Sequence, residues 1–489
     1  MRTPLHLQMP LVSAVAVSIL VLLPARSAAD GKGPAPRRVA FGPNVNLSVE
    51  NNFKSIDDVE TTAAANPLDP LNLVVGNIEV GDTPGQSCSF SFTRDGGRTW
   101  TRGGLVPTEG SGDFVFDPAL AADADGTFYY AYVDAASFHT AHQKADFGRA
   151  DLLVAKSTDG GRTFPTVSVA LDAIICDTCP FLADKDYIAI DTQPGSPFKG
   201  DIYVAFTNEG VTGYQTAVVV SRDAGRTWSD PQLIGGLALY TSNAFNLGAL
   251  PVVAPDGTVY IFYMDVIDFT SGPMNILFSK STDGGRTWSR TASVASNLPS
   301  PGQFFLKNSD PKIGAAPFIG LAMSSLPTAA IAPDGTLFVS WVDFPNGSCL
   351  TDGNTCPLCL NSDVRLSVSR NGGKTWSRPV KVSDDRGSTD QFNPWIAVHP
   401  DGLLSLFWLD KRLDPKNENY DVFYTNTFDG STFLPNVRIS TATSLTGNGL
   451  TFVGDYNVLA TTADGIFPVW SDMRSGNPDV YAAAGRFVP

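Results

Sequence analysis

Eight residues, Ser281-Thr282-Asp283-Gly284-Gly285-Arg286-Thr287-Trp288, recur with light variation along most of the chain. Copies run from Thr93 to Trp100, Ser157 to Phe164, Ser221 to Trp228 and Ser369 to Trp376, and a copy one residue shorter runs from Thr427 to Phe433. The aspartate position falls at 95, 159, 223, 283, 371 and 429, with Asn371 as the one replacement. A motif spaced this way implies an array of similar structural units, not one irregular core. Its chemistry is that of a tight turn. The hydroxyl and the carboxylate accept hydrogen bonds from the turn's own N–H groups, and glycine supplies left-handed backbone angles. The aromatic anchors the turn in an apolar layer.

Each unit carries more than its turn. Asp125-Gly126, Asp256-Gly257, Asp334-Gly335, Asp401-Gly402 and Asp464-Gly465 lie between apolar runs, a strong hairpin signal. This context makes Asp123-Ala124-Asp125-Gly126 a hairpin and not a calcium loop. The strands that follow end alike, at Asp134, Asp265, Asp343, Asp410 and Asp472. Third strands lead into the repeated turns, and short outer strands such as Pro231–Ile234 follow them. Counting this way gives seven units. The last lacks both turn and outer strand, but Phe41-Gly42-Pro43-Asn44-Val45-Asn46-Leu47-Ser48 mimics Phe433-Leu434-Pro435-Asn436-Val437-Arg438-Ile439-Ser440. The N-terminal segment is therefore expected to complete the last unit and close the array, removing its exposed edges.

Composition narrows the partners. The chain has 489 residues and a net charge of −15, which becomes −17 without Arg2 and Arg26. Such a chain repels nucleic acid and anionic membranes. Residues 1–29 read as a cleaved secretory signal, with Arg2, an apolar run from Leu11 to Leu23, and small residues before Asp30. The expected compartment is the periplasm or the exterior, with no membrane insertion. Residues 30–40 read as a flexible lead-in and 41–489 as one domain. Six cysteines in an exported chain favour disulfides; the two C-x-x-C pairs, Cys176/Cys179 and Cys356/Cys359, leave zinc as the alternative. All six are expected in loops on one face. No motif calls for a cofactor or a catalytic metal, and a structural calcium is the one ion the acidic rim would take.

The repeated turn resembles the Asp box (bacterial neuraminidase repeat) of sialidase-superfamily propellers, over nearly all of the chain after the signal. The resemblance implies an all-β β-propeller of four-stranded antiparallel blades; the count of units makes it seven-bladed, with six blades as the alternative. It also implies that the boxes lie away from the active face. The opposite face would gather strand entries and second-strand ends. These bring Asp117, Asp184, Asp186 and Asp455 together with the five strand-end aspartates, Glu209, Arg412, Arg474, Tyr187, Tyr420 and Tyr456. Sialidases of this kind use three arginines, a tyrosine nucleophile with a glutamate helper, and an aspartate acid/base. By position, Arg412 and Arg474 stand for two arginines, with Asp410, Asp455 and Asp472 beside them on the substrate. Tyr456 stands for the nucleophile, Glu209 for its helper and Asp186 for the acid/base. The Arg-Ile-Pro motif of those enzymes is absent. The expected partner is a glycan, and the expected activity sialidase-like hydrolysis of acidic glycans. A non-catalytic glycan- or protein-binding propeller stands beside it, as does a polysaccharide lyase using His139, His142 and Arg412.

Overall fold

The structure is a computed structural model that describes residues 34–48, 57–80, 86–108, 114–135, 148–175, 181–210, 214–235, 245–266, 273–298, 326–343, 361–446 and 453–489. The signal segment, His139, His142 and five of the cysteines lie outside the described residues. Every described element is a β-strand. Four sheets have four strands each in sequential order, spanning 183–233, 245–298, 328–381 and 391–438. Strands in 57–105 and 114–175 form a nine-stranded sheet, its two antiparallel halves joined by one parallel pair, Gln86 to Phe114. The sixth sheet combines strands from 458–487 with two N-terminal ones.

The first strands of these units meet in a closed cycle. Asp57–Asn66 touches Phe114–Ala122, which touches Ala183–Ile190, then Phe245–Val253, Thr328–Ile331, Gln391–Val398, Val458–Thr461 and Asp57–Asn66 again. The apolar clusters lie between consecutive units, and one of them also takes in Tyr187 and Tyr456 at the centre. Val204 and Phe206 pack on Val133 and Leu152, and Phe407 and Tyr424 pack on Leu459 and Trp470. Most second strands are buried along their whole length, as in Leu404–Asp410. Two-sided burial explains their continuous apolar runs.

The repeated turn forms as its residues dictate. Ser281 Oγ donates to Asp283 Oδ1 (2.8 Å) and accepts from the Gly285 N–H (2.9 Å). Asp283 also accepts from the Arg286 and Thr287 N–H groups and the Thr287 hydroxyl. Gly284 and Gly285 have φ of 70° and 73°, where a β-carbon is strained. The turn aromatics do what the pattern implies. Trp228 packs into the core shared with the preceding unit, and Trp288, Trp376 and Phe433 repeat this. A basic side chain near each turn then bonds a carbonyl of the next turn. Arg94 reaches Asp159 O, Lys156 reaches Ala224 O, Arg222 reaches Gly284 O, Lys280 reaches Gly372 O and Arg370 reaches Asp429 O. Asn426 continues the relay to Arg37 O, and Arg486 closes it on Gly96 O.

The N-terminal segment completes the last unit. Val45–Asn46 pairs with Tyr481–Ala482, and Val39–Phe41 pairs with Gly485–Phe487. Phe41 takes the place of a turn aromatic, edge-on to Tyr424 at 5.2 Å. The lead-in is correspondingly shorter than residues 30–40. Arg37 already pairs with Asp401 (2.8 Å) and stacks on Phe487, and Val39 and Ala40 are in a strand. Four Asp-Gly turns hold, with φ of 82° to 89° at their glycines. Gly465 instead lies in the strand Gly465–Asp472, packed against Gly485. Cys88 is also not a loop residue: it is a buried free thiol in the strand Gln86–Thr93. Among the described residues no helix is long and apolar enough to cross a membrane.

Candidate functional site

The first strand of most units carries a register slip at an equivalent place. Pairing slips between Val59 and Thr62, Phe116 and Ala119, Asp184 and Tyr187, Leu247 and Leu250, and Phe392 and Trp395. At each slip one residue adopts a left-handed conformation: Glu60, Asp117, Lys185, Gly248 and Asn393, with φ from 44° to 73°. Gly454 (φ 83°) holds the equivalent place ahead of Val458–Thr461. A bulge re-aims the side chains of its strand. Four of the five are not glycine, so backbone strain of order 1 kcal/mol each is accepted at these positions.

What the bulges aim is a buried ionic cluster. Lys185 Nζ lies 2.9 Å from Glu60 Oε1, 3.4 Å from Asp117 Oδ1 and 2.8 Å from Asp455 Oδ2, joining carboxylates from three other units. Its backbone N–H donates to Asp117 Oδ2 (2.8 Å). The ammonium sits 4.8 Å from the Tyr456 ring centroid, and Tyr456 packs on Tyr187, which packs on Trp395. Gly454 permits the approach: a Cβ there would stand 2.7 Å from the Glu60 nitrogen. Asn393 donates to the Gly454 carbonyl (3.0 Å).

The charges are unbalanced, and the proton affinities show it. Burial works against the charge of Lys185, but Asp455, Glu60 and Asp117 outweigh it and hold its pKa well above the usual value. Burial pushes Glu60 up to about 8 despite Lys185. Burial, then the charges of Asp117 and Glu209, raises Asp184 well above the usual range. Glu209 is pushed up to about 7 by burial and Asp117. Glu209 and Asp184 are half-buried and Lys185 is buried, while Tyr214, on which the charge of Glu209 acts, is exposed. Among the described residues no group of three or more His, Cys, Asp or Glu side chains is arranged to hold a metal ion.

Asp186, Asp455, Tyr456 and Glu209 are thus brought to one region. Two of them are unsuited to their expected roles. Asp186 is 1% exposed, neither of its carboxylate oxygens has a hydrogen-bond partner, and burial with Asp117 raises its pKa well above normal. That burial keeps it out of reach of a substrate. Tyr456 has no base on its hydroxyl, and burial, Glu60 and Asp117 drive its pKa up, the reverse of activation.

Arg412 and Arg474 belong elsewhere. Arg412 donates to Asp410 Oδ2 (2.8 Å), Asp384 Oδ1 (2.6 Å) and Asn436 Oδ1 (3.0 Å), with its guanidinium over Phe423. Arg474 repeats this with Asp472, Thr441 and Asn44, over Tyr481. Both guanidiniums point to outer strands, so neither is spare for a substrate carboxylate. Asp410 and Asp472 are fully buried acceptors for these arginines and for the indole N–H groups of Trp408 and Trp470. The strand-end aspartates therefore cap their own units.

Glu60 and Lys185 escaped sequence reasoning. The signal that finds them is the register of the bulges, which aligns Glu60-Thr61-Thr62, Asp117-Pro118-Ala119, Lys185-Asp186-Tyr187, Gly248-Ala249-Leu250, Asn393-Pro394-Trp395 and Gly454-Asp455-Tyr456.

No protein-family model matches the chain, and no curated protein matches it. Solved structures do. An ulvan lyase, described as a new family of polysaccharide lyase and bound to -[GlcA(1-4)Rha3S]-, is 11% identical with a TM-score of 0.50, covering 88% of this chain and 94% of that one. A Hadza microbial sialidase is 14% identical with a TM-score of 0.45, covering 92% and 94%. An α-L-arabinofuranosidase of Fusarium graminearum, in complex with arabinobiose, is 14% identical with a TM-score of 0.42, covering 76% and 93%. At 11% identity the likeness to the ulvan lyase speaks for fold alone: an all-β array of four-stranded antiparallel sheets.

Proposed function

We propose that this chain is an exported, seven-bladed Asp-box β-propeller that hydrolyses glycosidic bonds with a pair of carboxyl groups, Glu209 and Asp455. That the substrate is a polysaccharide is taken from the ulvan lyase of similar fold, and the mechanism from the site. The observation that carries the reading is the set of carboxyl groups about Lys185, of which Asp455 is ion-paired with it at 2.8 Å and Glu209 is raised toward neutrality. Glu209, with a pKa of about 7, keeps a proton to donate near neutral pH. Asp455, paired with Lys185, is an acceptor. Division of acid and base roles between two carboxyl groups is the chemistry of glycoside hydrolysis.

In this mechanism Glu209 protonates the glycosidic oxygen as its bond to the anomeric carbon breaks. Asp455 takes one proton from the water whose oxygen adds to that carbon. One water is consumed, two hydroxyl ends are formed, and solvent returns the proton from Asp455 to Glu209. Sialidase-type anchoring of a substrate carboxylate has no support from Arg412 or Arg474, whose Nη groups bond to residues of the outer strands and turns.

The test is reducing-end release by the purified chain from sialosides, uronic-acid polymers, neutral glycans and amino-sugar glycans. Turnover by the native protein, with kcat lowered roughly 10²- to 10⁴-fold in Glu209→Gln and in Asp455→Asn, supports the reading. Turnover of no class overturns it in favour of a binding propeller. An unsaturated product overturns it in favour of a lyase.

A further inference from the structure

We infer that Asn393 is a positioning residue for Asp455, acting from the neighbouring unit through the Gly454–Asp455 peptide; this rests on the hydrolase reading above. Asp455 stands ahead of the paired part of its strand, which begins only at Val458. Its counterparts in the bulge register, Asp186 and Pro394, lie inside the strands Ala183–Ile190 and Gln391–Val398. The backbone direction at Asp455 is therefore set by contacts from other units. Asn393 Nδ2 donates to the Gly454 carbonyl at 3.0 Å. On the other side Gly454 lies against Glu60, where a Cβ would stand 2.7 Å from the backbone nitrogen and 3.1 Å from Cα. These two contacts fix the peptide, and Lys185 Nζ, 2.8 Å from Oδ2, receives the carboxylate that the peptide aims.

Asn393 is shaped for this one bond. The register slip between Phe392 and Trp395 leaves it without a partner on the facing strand, at φ 44°, a conformation that asparagine tolerates better than most residues. It is 2% exposed. An amide oxygen turned to the Gly454 carbonyl would set two acceptors face to face, so the NH2 group takes that side. The amide oxygen then has no hydrogen-bond partner among the described residues. A left-handed side chain whose buried oxygen goes unmet costs stability, and such costs gather at functional sites. The same unit braces the residue after Asp455 as well: Trp395 packs on Tyr187, and Tyr187 on Tyr456.

The test is a kinetic cycle of Asn393→Gly with Asp455→Asn, run on whichever of sialyllactose, oligogalacturonate, cellotetraose and chitotetraose the native chain hydrolyses fastest. Glycine keeps the left-handed backbone and removes the donor. Asn393→Gly is expected to lower kcat roughly 10- to 100-fold with KM changed by less than about twofold, as misplacement of a reacting group does. In the Asp455→Asn background the same change should lower kcat by less than about twofold, because the group it acts through is already lost. A crystal structure of Asn393→Gly should show the Asp455 carboxylate displaced from Lys185. Losses that multiply in the double variant, a change in KM in place of kcat, or an Asp455 that stays on Lys185 with kcat unchanged each overturn the inference and leave the hydrolase. An Asn393→Gly chain that no longer unfolds cooperatively in urea shows the bond to serve stability and overturns the inference too. A native chain that hydrolyses none of the four glycans overturns the hydrolase reading and this role together.

Discussion

Arg474 donates from Nη2 to Oδ1 of Asn44, 3.0 Å away and 430 residues earlier in the chain. The same bond, at the same length, joins Arg412 to Asn436 within one unit. In both cases the asparagine oxygen also accepts a backbone N–H from the turn beyond the neighbouring outer strand, Thr441 for Asn44 and Asp384 for Asn436. The N-terminal segment thus copies a late outer strand in hydrogen-bonding role as well as in sequence. Asn44→Ala is expected to cost about 2 kcal/mol, since it strips a charged donor and a backbone donor of their shared acceptor. In a double-mutant cycle with Arg474→Ala, measured by urea unfolding, the two costs should fall short of additivity by about 1 kcal/mol. Full additivity would mean that the clamp carries no energy.

The repeated turn contains its own natural substitution. Asn371 Oδ1 accepts the Thr375 N–H at 2.9 Å, as the aspartates do, while its Nδ2 donates to the Thr375 hydroxyl at 2.8 Å. In the aspartate copies that hydroxyl donates instead, as Thr287 does to Asp283. Rotating one hydroxyl is enough to accept either side chain. Asp283→Asn should therefore be nearly neutral, and Asp283→Ala should cost about 1 kcal/mol for the bonds lost. Equal losses in thermal melting would refute the equivalence.

The geometry of the array was legible because it is local and repeated. The turn motif, the Asp-Gly hairpins and the mimicry of Phe433–Ser440 by Phe41–Ser48 each depend on residues close in sequence. The centre was not legible in the same way. Glu60, Asp117, Lys185 and Asp455 meet only because their units face one axis, and a residue is thrown toward it by a bulge whose register is set by the neighbouring strand. Lys185 in particular looks like any strand lysine until three carboxylates are placed around it. Arg412 and Arg474 misled for a related reason. Asp-x-Arg at a strand end can point inward or outward, and stacking on Phe423 and Tyr481 decides for outward.

Removing the central lysine should be severe. Lys185→Met leaves Glu60, Asp117 and Asp455 buried beside one another without a cation. Breaking a buried pair on one side typically costs about 3–5 kcal/mol. The double change Lys185→Met with Asp455→Asn should recover part of that loss, because one carboxylate left without its cation is neutralised. A double variant less stable than the single one, by urea unfolding, would show that the cluster is not held together by charge.

Stability should fall as pH rises from 6.5 to 8, a direction set by the same cluster. Glu60 has a folded pKa of about 8, raised from 4.5, and Asp58 and Glu209 are raised to about 7. In this window the folded chain holds protons that the unfolded chain has released. The stability these groups contribute is full below their unfolded values and is lost as pH climbs through the folded ones. His399 opposes them only lower down. Burial depresses it to about 4, so its effect is complete by the ordinary histidine value of 6.5. The aspartates of the repeated turns, Asp95, Asp223 and Asp283, are held down to about 2 and act only in acid. For Glu60 alone the fall is about 1–2 kcal/mol. Urea midpoints at pH 6.5, 7.25 and 8 measure it, and Glu60→Gln should flatten the slope. Midpoints that rise with pH, or a slope indifferent to Glu60→Gln, would show that the carboxyl at the centre is ionised throughout and that Lys185 alone balances it.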